Sequence, residues 1–229
     1  MRVDIWSDVV CPWCYLGKRR FDEALESFDY HAEVQVAHRS FQLDPARPRY
    51  QTSSRREMLM AKYHLSTAQV SAMDEQMERT AAADGLEYHL TAAGQSGNTL
   101  DAHQLVHLAS DRGLAEPMLE RLYRAYFTEQ RSVFDRDTLV ELAADAGLDQ
   151  ADARRALAAE LYADAVAADL TDARTLGISG VPFVVIDGRY GISGAQSIEV
   201  FGQALQRAWE AARPAARGAH PTTRGSGRS

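Results

Sequence analysis

Cys11 and Cys14 are the chain's two cysteines, and they stand in one Cys-Pro-Trp-Cys motif. Thiols separated by two residues suit two chemistries: a dithiol that closes and reopens as a disulfide, or half of a metal site. A disulfide scaffold is excluded, because it needs more cysteines spread along the chain. In redox work the reactive species is the thiolate, and a free cysteine with a pKa near ~8.5 is only about 3% ionised at pH 7. A helix N-terminus presents unpaired N–H groups and about half a positive charge, which favours that ion. Attack gains little from this, since nucleophilicity falls as the thiolate is stabilised. The leaving-group effect is larger, and it makes the pair more oxidising. For a metal site the partners at hand are His103 and His107, four residues apart, so a Cys2His2 set is arithmetically possible. The proline inside the motif and the downstream Val181-Pro182 fit redox chemistry better.

The elements that must position these groups are legible around them. Val3 and Ile5 alternate within Arg2–Trp6 as in a strand. Pro12 suits the first turn of a helix, where no backbone N–H is needed. That helix puts Cys11 at its N-terminal tip. Cys14, Gly17, Phe21, Leu25 and Phe28 then share one inward side, and Gly17 on that seam suggests close approach to a sheet. A second strand follows at 33–37. From about residue 53 to 176 the pattern is helical, with stops near Gly85, Gly113, Gly147 and Gly177 and starts near Ser66, Asn98 or Thr99, Pro117, Asp135 or Asp137, and Asp149. Phe183-Val184-Val185-Ile186, the turn Asp187-Gly188 and a return strand at 190–192 form a hairpin. A last helix carries Phe201, Leu205, Ala208 and Trp209 on one face and stops at Pro214.

The order is thus β-α-β, a helical block, then β-β-α, which reads as an α/β thioredoxin-like fold with a large all-helical insertion between its halves. The expected divisions are a first core half at 1–52, the insertion at 53–177, the second core half at 178–212 and a disordered tail at 213–229. That tail holds four arginines and no acid, so the body carries −11 where the whole chain of 229 residues carries −7. An acidic body does not attract nucleic acid or anionic lipid by its net field. With no run of 18 apolar residues there is no membrane helix. Met1–Trp6 lacks the pattern of a secretory leader, so a cytoplasmic location is expected.

The segments "SDVVCPWCYLGKRRF" at 7–21, "NTLDAH" at 98–103 and "LGISGVPFVVIDGRYGISGAQ" at 176–196 resemble the FrnE-like branch of the DsbA family. The resemblance covers roughly residues 1–212 and implies a thiol–disulfide oxidoreductase. Cys11 would be the attacking cysteine and Cys14 the resolving one. Pro182 would be a cis-proline facing the motif, and Val181 would offer backbone groups to a substrate. Trp13 is the expected exposed aromatic contact. Such a cycle needs no cofactor and no metal beyond the Cys11–Cys14 pair. Its partners would be protein or small-molecule thiols and disulfides and a cellular thiol reductant. Some relatives carry a further cysteine pair towards the C-terminus; this chain has none, so an internal two-pair relay is excluded.

Plainer readings stand beside these. His103 and His107 are then packed helix histidines, and Asn98 and Thr99 are helix caps before they are pocket lining. Lys18, Arg19 and Arg20 form a solvated helix face or raise the potential near the thiols. Asp4 and Asp8 cap or pair, or hold protons near the thiols. Two other functions compete: a small-thiol-dependent isomerase or transferase acting on an aromatic or polyketide-like substrate, and a non-catalytic module that is zinc-held or chaperone-like.

Overall fold

Alternation along two short strands builds the centre of the protein. In the computed structural model, which describes residues 1–90 and 94–212, β1 (Arg2–Ser7) pairs parallel with β2 (Gln35–Ser40) and antiparallel with β5 (Phe183–Ile186). Val3 and Ile5 on β1 and Val184 and Ile186 on β5 point to one face, where α1 (Pro12–Glu26) and α9 (Ile198–Ala212) cover them. Trp6 and Val185 point to the other face and meet Ala173 of α8 (Ala163–Thr175) and Ile178. This is the period-two alternation of a sheet covered on both sides. β6 (Tyr190–Ser193) completes the order β2-β1-β5-β6. The Asp187-Gly188 turn leads into it with both residues in the left-handed region, at φ 49° and 66°. The arrangement is a thioredoxin-like fold.

Between its halves run α2 (Arg55–Tyr63), α3 (Thr67–Ala83), α4 (Leu100–Ser110), α5 (Ala115–Phe127), α6 (Arg136–Asp145), α7 (Gln150–Ala158) and α8. Two expected bounds shift: α5 begins at Ala115, two residues before Pro117, and β2 starts at Gln35 and runs on to Ser40 where 33–37 was expected, because His31–Glu33 form a 3-10 turn. The other expected starts hold chemically. Ser66 and Gln69 form a reciprocal capping box, while Asp135 and Asp149 accept from Thr138 N and Asp152 N at 2.8 and 2.9 Å. Before α4 it is Asn98, not Thr99, whose side chain caps: its Oδ1 accepts from Leu100 N at 2.9 Å. The insertion is helical with one addition, a two-residue ladder between β3 (Ser53–Ser54) and β4 (Gln95–Ser96). The Pro214 stop and the tail at 213–229 lie outside the described residues.

α1 departs from the single inward seam read in the sequence. Cys14, Tyr15 and Leu16 pack into the core of the insertion, among Leu105, Tyr123 and Phe127. Phe21, Ala24 and Phe28 pack against the sheet and α9, with Phe21 set edge-on to Phe201 at 5.6 Å. One helix therefore serves two cores, and the motif end belongs to the insertion.

Candidate active site

The chain enters the motif through a tight turn, Cys11 N donating to Asp8 O at 3.1 Å. Cys11 is the N-cap residue of α1, with extended backbone angles, and Pro12 opens the helix. Both thiols are free, 5% and 1% exposed for Cys11 and Cys14. The Val181–Pro182 bond is cis, and the Cys11 thiol donates to the Val181 carbonyl at 3.6 Å. Trp13 is 49% exposed beside them. Five residues separated in sequence by up to 171 positions thus meet at one helix tip.

Gly17 explains how closely the two loops approach. A Cβ there would stand 2.9 Å from Pro182 Cγ and 3.4 Å from Ala195 Cα. The close approach expected for this glycine is therefore made to the Pro182 loop and Ala195, not to the sheet strands. Gly194 N donates to Pro182 O at 2.8 Å and ties those two loops together.

Burial pushes the Cys14 thiol well above its ordinary range. Its hydrogen bond with Cys11 adds to this, while the Asp8 backbone N–H acts the other way. Beneath lies a stack of aromatic rings: Tyr15 on Tyr123 at 4.9 Å, and Tyr88 on Phe127 at 4.8 Å. The Tyr88 hydroxyl donates to Pro12 O at 2.8 Å, supporting the motif from the insertion. Sequence reasoning missed Tyr88, which lies in an irregular stretch 76 residues away with no periodicity to mark it.

The remaining candidates separate. Asp8 is buried at the motif, accepting from Leu43 N at 2.8 Å and pairing with His103 Nε2 at 3.3 Å. Asp4 instead pairs with Arg2 and Arg39; despite its burial, these guanidiniums hold it below the usual carboxylate range. His107 turns to another buried carboxylate, Asp169, at 3.0 Å. The two histidines thus serve different partners, and the described residues hold no group of three or more His, Cys, Asp or Glu side chains placed to bind a metal. Lys18, Arg19 and Arg20 are engaged with Glu116, Glu120 and Asp84, so they tie α1 to the insertion. Gln42 bridges Asn98 and Thr99 at 3.2 and 3.5 Å. A groove of about 780 Å3 along β2, lined by Asp22, Val36, His38 and Glu116, contains neither cysteine.

Residues 2–206 match the family model described as a DSBA-like thioredoxin domain. The crystal structure of a probable DsbA oxidoreductase from Streptomyces coelicolor is 49% identical, with a TM-score of 0.89, covering 93% of this chain and 92% of that one. The fold alone is shared with the cytosolic disulfide reductase DsbM from Pseudomonas aeruginosa, at 22% identity and a TM-score of 0.62 over 92% of this chain and 100% of that one. It is shared likewise with a 2-hydroxychromene-2-carboxylate isomerase, at 15% identity and 0.68 over 93% and 98%. No described helix is long and apolar enough to cross a membrane.

Proposed function

Because the chain belongs to the DSBA-like thioredoxin domain family of thiol–disulfide oxidoreductases, we propose that it exchanges disulfides through Cys11 and Cys14. The Cys11 thiolate attacks one sulfur of a substrate disulfide and expels the other as a thiolate. Cys14 then attacks Cys11 Sγ, closing the intramolecular disulfide and releasing the second substrate thiolate. Run backwards, the same two steps oxidise a substrate dithiol. The observation that carries this reading is the pairing of Cys11 Sγ with the Val181 carbonyl beside Pro182, with Cys14 sealed behind it. A carbonyl that receives the thiol's proton at rest loses that donor once Cys11 ionises, and it can then accept an N–H from an extended substrate. Trp13 supplies an exposed apolar surface next to the reacting sulfur. The substrates are protein or small-molecule thiols and disulfides, and a cytoplasmic thiol reductant resets the pair.

The test is Cys14→Ser. In a disulfide cycle this variant accumulates a mixed disulfide on Cys11 and its turnover falls to background. An isomerisation assisted by a small thiol would survive the change, and its survival would overturn the proposal. Redox titration of the wild type should show one reversible two-electron transition.

A further inference from the structure

Resting on that dithiol cycle, a further residue bears on how a polypeptide substrate is held. We infer that Arg20 is a positioning residue: it fixes the loop at Gly194 and Ala195 against α1, and through that loop it holds Val181 and Pro182 where an extended substrate can pair with them. The guanidinium divides its donors. Nε and Nη2 form a fork on the Asp84 carboxylate at 2.9 and 2.8 Å, and Nη1 donates to the Ala195 carbonyl at 3.0 Å. Two-point, charge-assisted pairing sets the plane of the group, which the point charge of a lysine does not. The Arg20 and Asp84 side chains are only 21% and 16% exposed, so water competes weakly for these bonds. Asp84 is the C-cap residue of α3, so the anchor belongs to the insertion.

From Ala195 the restraint reaches the site through the backbone. Gly194 N donates to Pro182 O at 2.8 Å, so two adjacent residues of one loop hold Pro182 by an N–H and Arg20 by a carbonyl. Val181, the neighbour of Pro182, accepts the Cys11 thiol at 3.6 Å. Gly17 lies three residues before Arg20 and faces the same loop, since a Cβ there would stand 2.9 Å from Pro182 Cγ and 3.4 Å from Ala195 Cβ. Gly17 permits the close approach, and Arg20 fixes it. Ser179 and Gly180, which lead into Val181, are exposed. A segment entered through exposed residues takes its place from the tethers on its other side.

The consequence is selective. A substrate laid along Val181 as an added strand needs the backbone groups there at fixed places. A small disulfide has no main chain to pair and needs only access to Cys11 Sγ. Loosening the loop should therefore penalise peptides and spare small molecules.

Two chromogenic disulfides make the comparison: thionitrobenzoate joined to the cysteine of a short peptide, and thionitrobenzoate joined to mercaptoethanol. In both, Cys11 Sγ bonds the substrate sulfur, the substrate S–S bond breaks, and thionitrobenzoate leaves with the electron pair. Arg20→Met should slow release from the peptide by about tenfold, while release from the mercaptoethanol compound changes by less than about twofold. Asp84→Asn leaves Arg20 in place without its charged anchor and should slow the peptide alone, by about threefold. Added to Arg20→Met it should cost nothing more, because both act through one chain of bonds. Equal slowing of the two probes, or no slowing of the peptide, overturns the role of Arg20 and leaves the dithiol cycle standing. A wild type that releases thionitrobenzoate from neither probe overturns the cycle itself, and this role with it. Should Arg20→Met fail to fold, Asp84→Asn decides by the same split between probes.

Discussion

Two stretches of α1, barely a turn apart, treat ionisable groups in opposite ways. Around the first turn, Cys14, Tyr88, Tyr123 and Tyr126 are enclosed by the insertion, and burial drives each towards its neutral form. One turn on, Lys18 meets Asp22 at 2.5 Å and Glu116 at 2.6 Å, and Glu116 also pairs with His38. Burial opposes the charge on Glu116, yet His38 and then Lys18 hold its carboxyl at about 2. Burial likewise opposes the charge on Lys18, and Asp22 and Glu116 overcome it. Asp22 is the exception in this cluster, pushed up because burial outweighs Lys18. Enclosure alone does not decide protonation. The balance between burial and the neighbouring charges does.

The contrast is open to attack from both sides. The largest effect is expected at the aromatic end. Tyr123→Ala removes a fully buried ring stacked on Tyr15 and should cost about 3–5 kcal/mol in denaturant unfolding. Tyr123→Phe should cost only about 1 kcal/mol. If the two cost the same, the stack is not what encloses the motif. Gly17→Ala should come next. It gains about 1 kcal/mol of helix propensity, but crowding Pro182 and Ala195 costs about 1–3 kcal/mol. Cys11 attack should slow with it, since Val181 moves with Pro182. An active, more stable Gly17→Ala would show that the loop yields freely.

The smallest effect belongs to the charged cluster. Glu116 is half-exposed, so Glu116→Gln should change stability by less than about 1 kcal/mol at neutral pH. Its signature is in the acid limb. The carboxyl ordinarily titrates at 4.5 and in the fold at about 2, so between these values the unfolded chain binds more protons. The stability Glu116 adds is therefore complete above about pH 4.5 and is lost as pH falls towards 2. Thermal unfolding across that window should be flatter in Glu116→Gln than in the wild type. Identical acid limbs would mean the cluster is not a stabilising set.

Much of this was legible before any coordinates. The strand at Arg2, the helix opened by Pro12, the Asp187-Gly188 hairpin and the four-residue face of α9 rest on local rules, periodicity, capping and turn chemistry, that act within a few residues. The two thiols were legible for the same reason, being adjacent in the chain. The sharing of α1 between two cores was not. A seam of apolar residues says that a helix is buried, and is silent on how many bodies bury it.

The chain by itself determined that two thiols stand at a helix tip, that the fold is α/β with a helical block between its halves, and that no second cysteine pair exists for a relay. Tertiary structure alone decided that His103 and His107 part company to Asp8 and Asp169, and that Tyr88 props up Pro12. The physical reason is range. Propensity and capping operate over one or two turns, whereas the protonation of a buried group depends on whichever distant side chains the packing brings within a few ångströms.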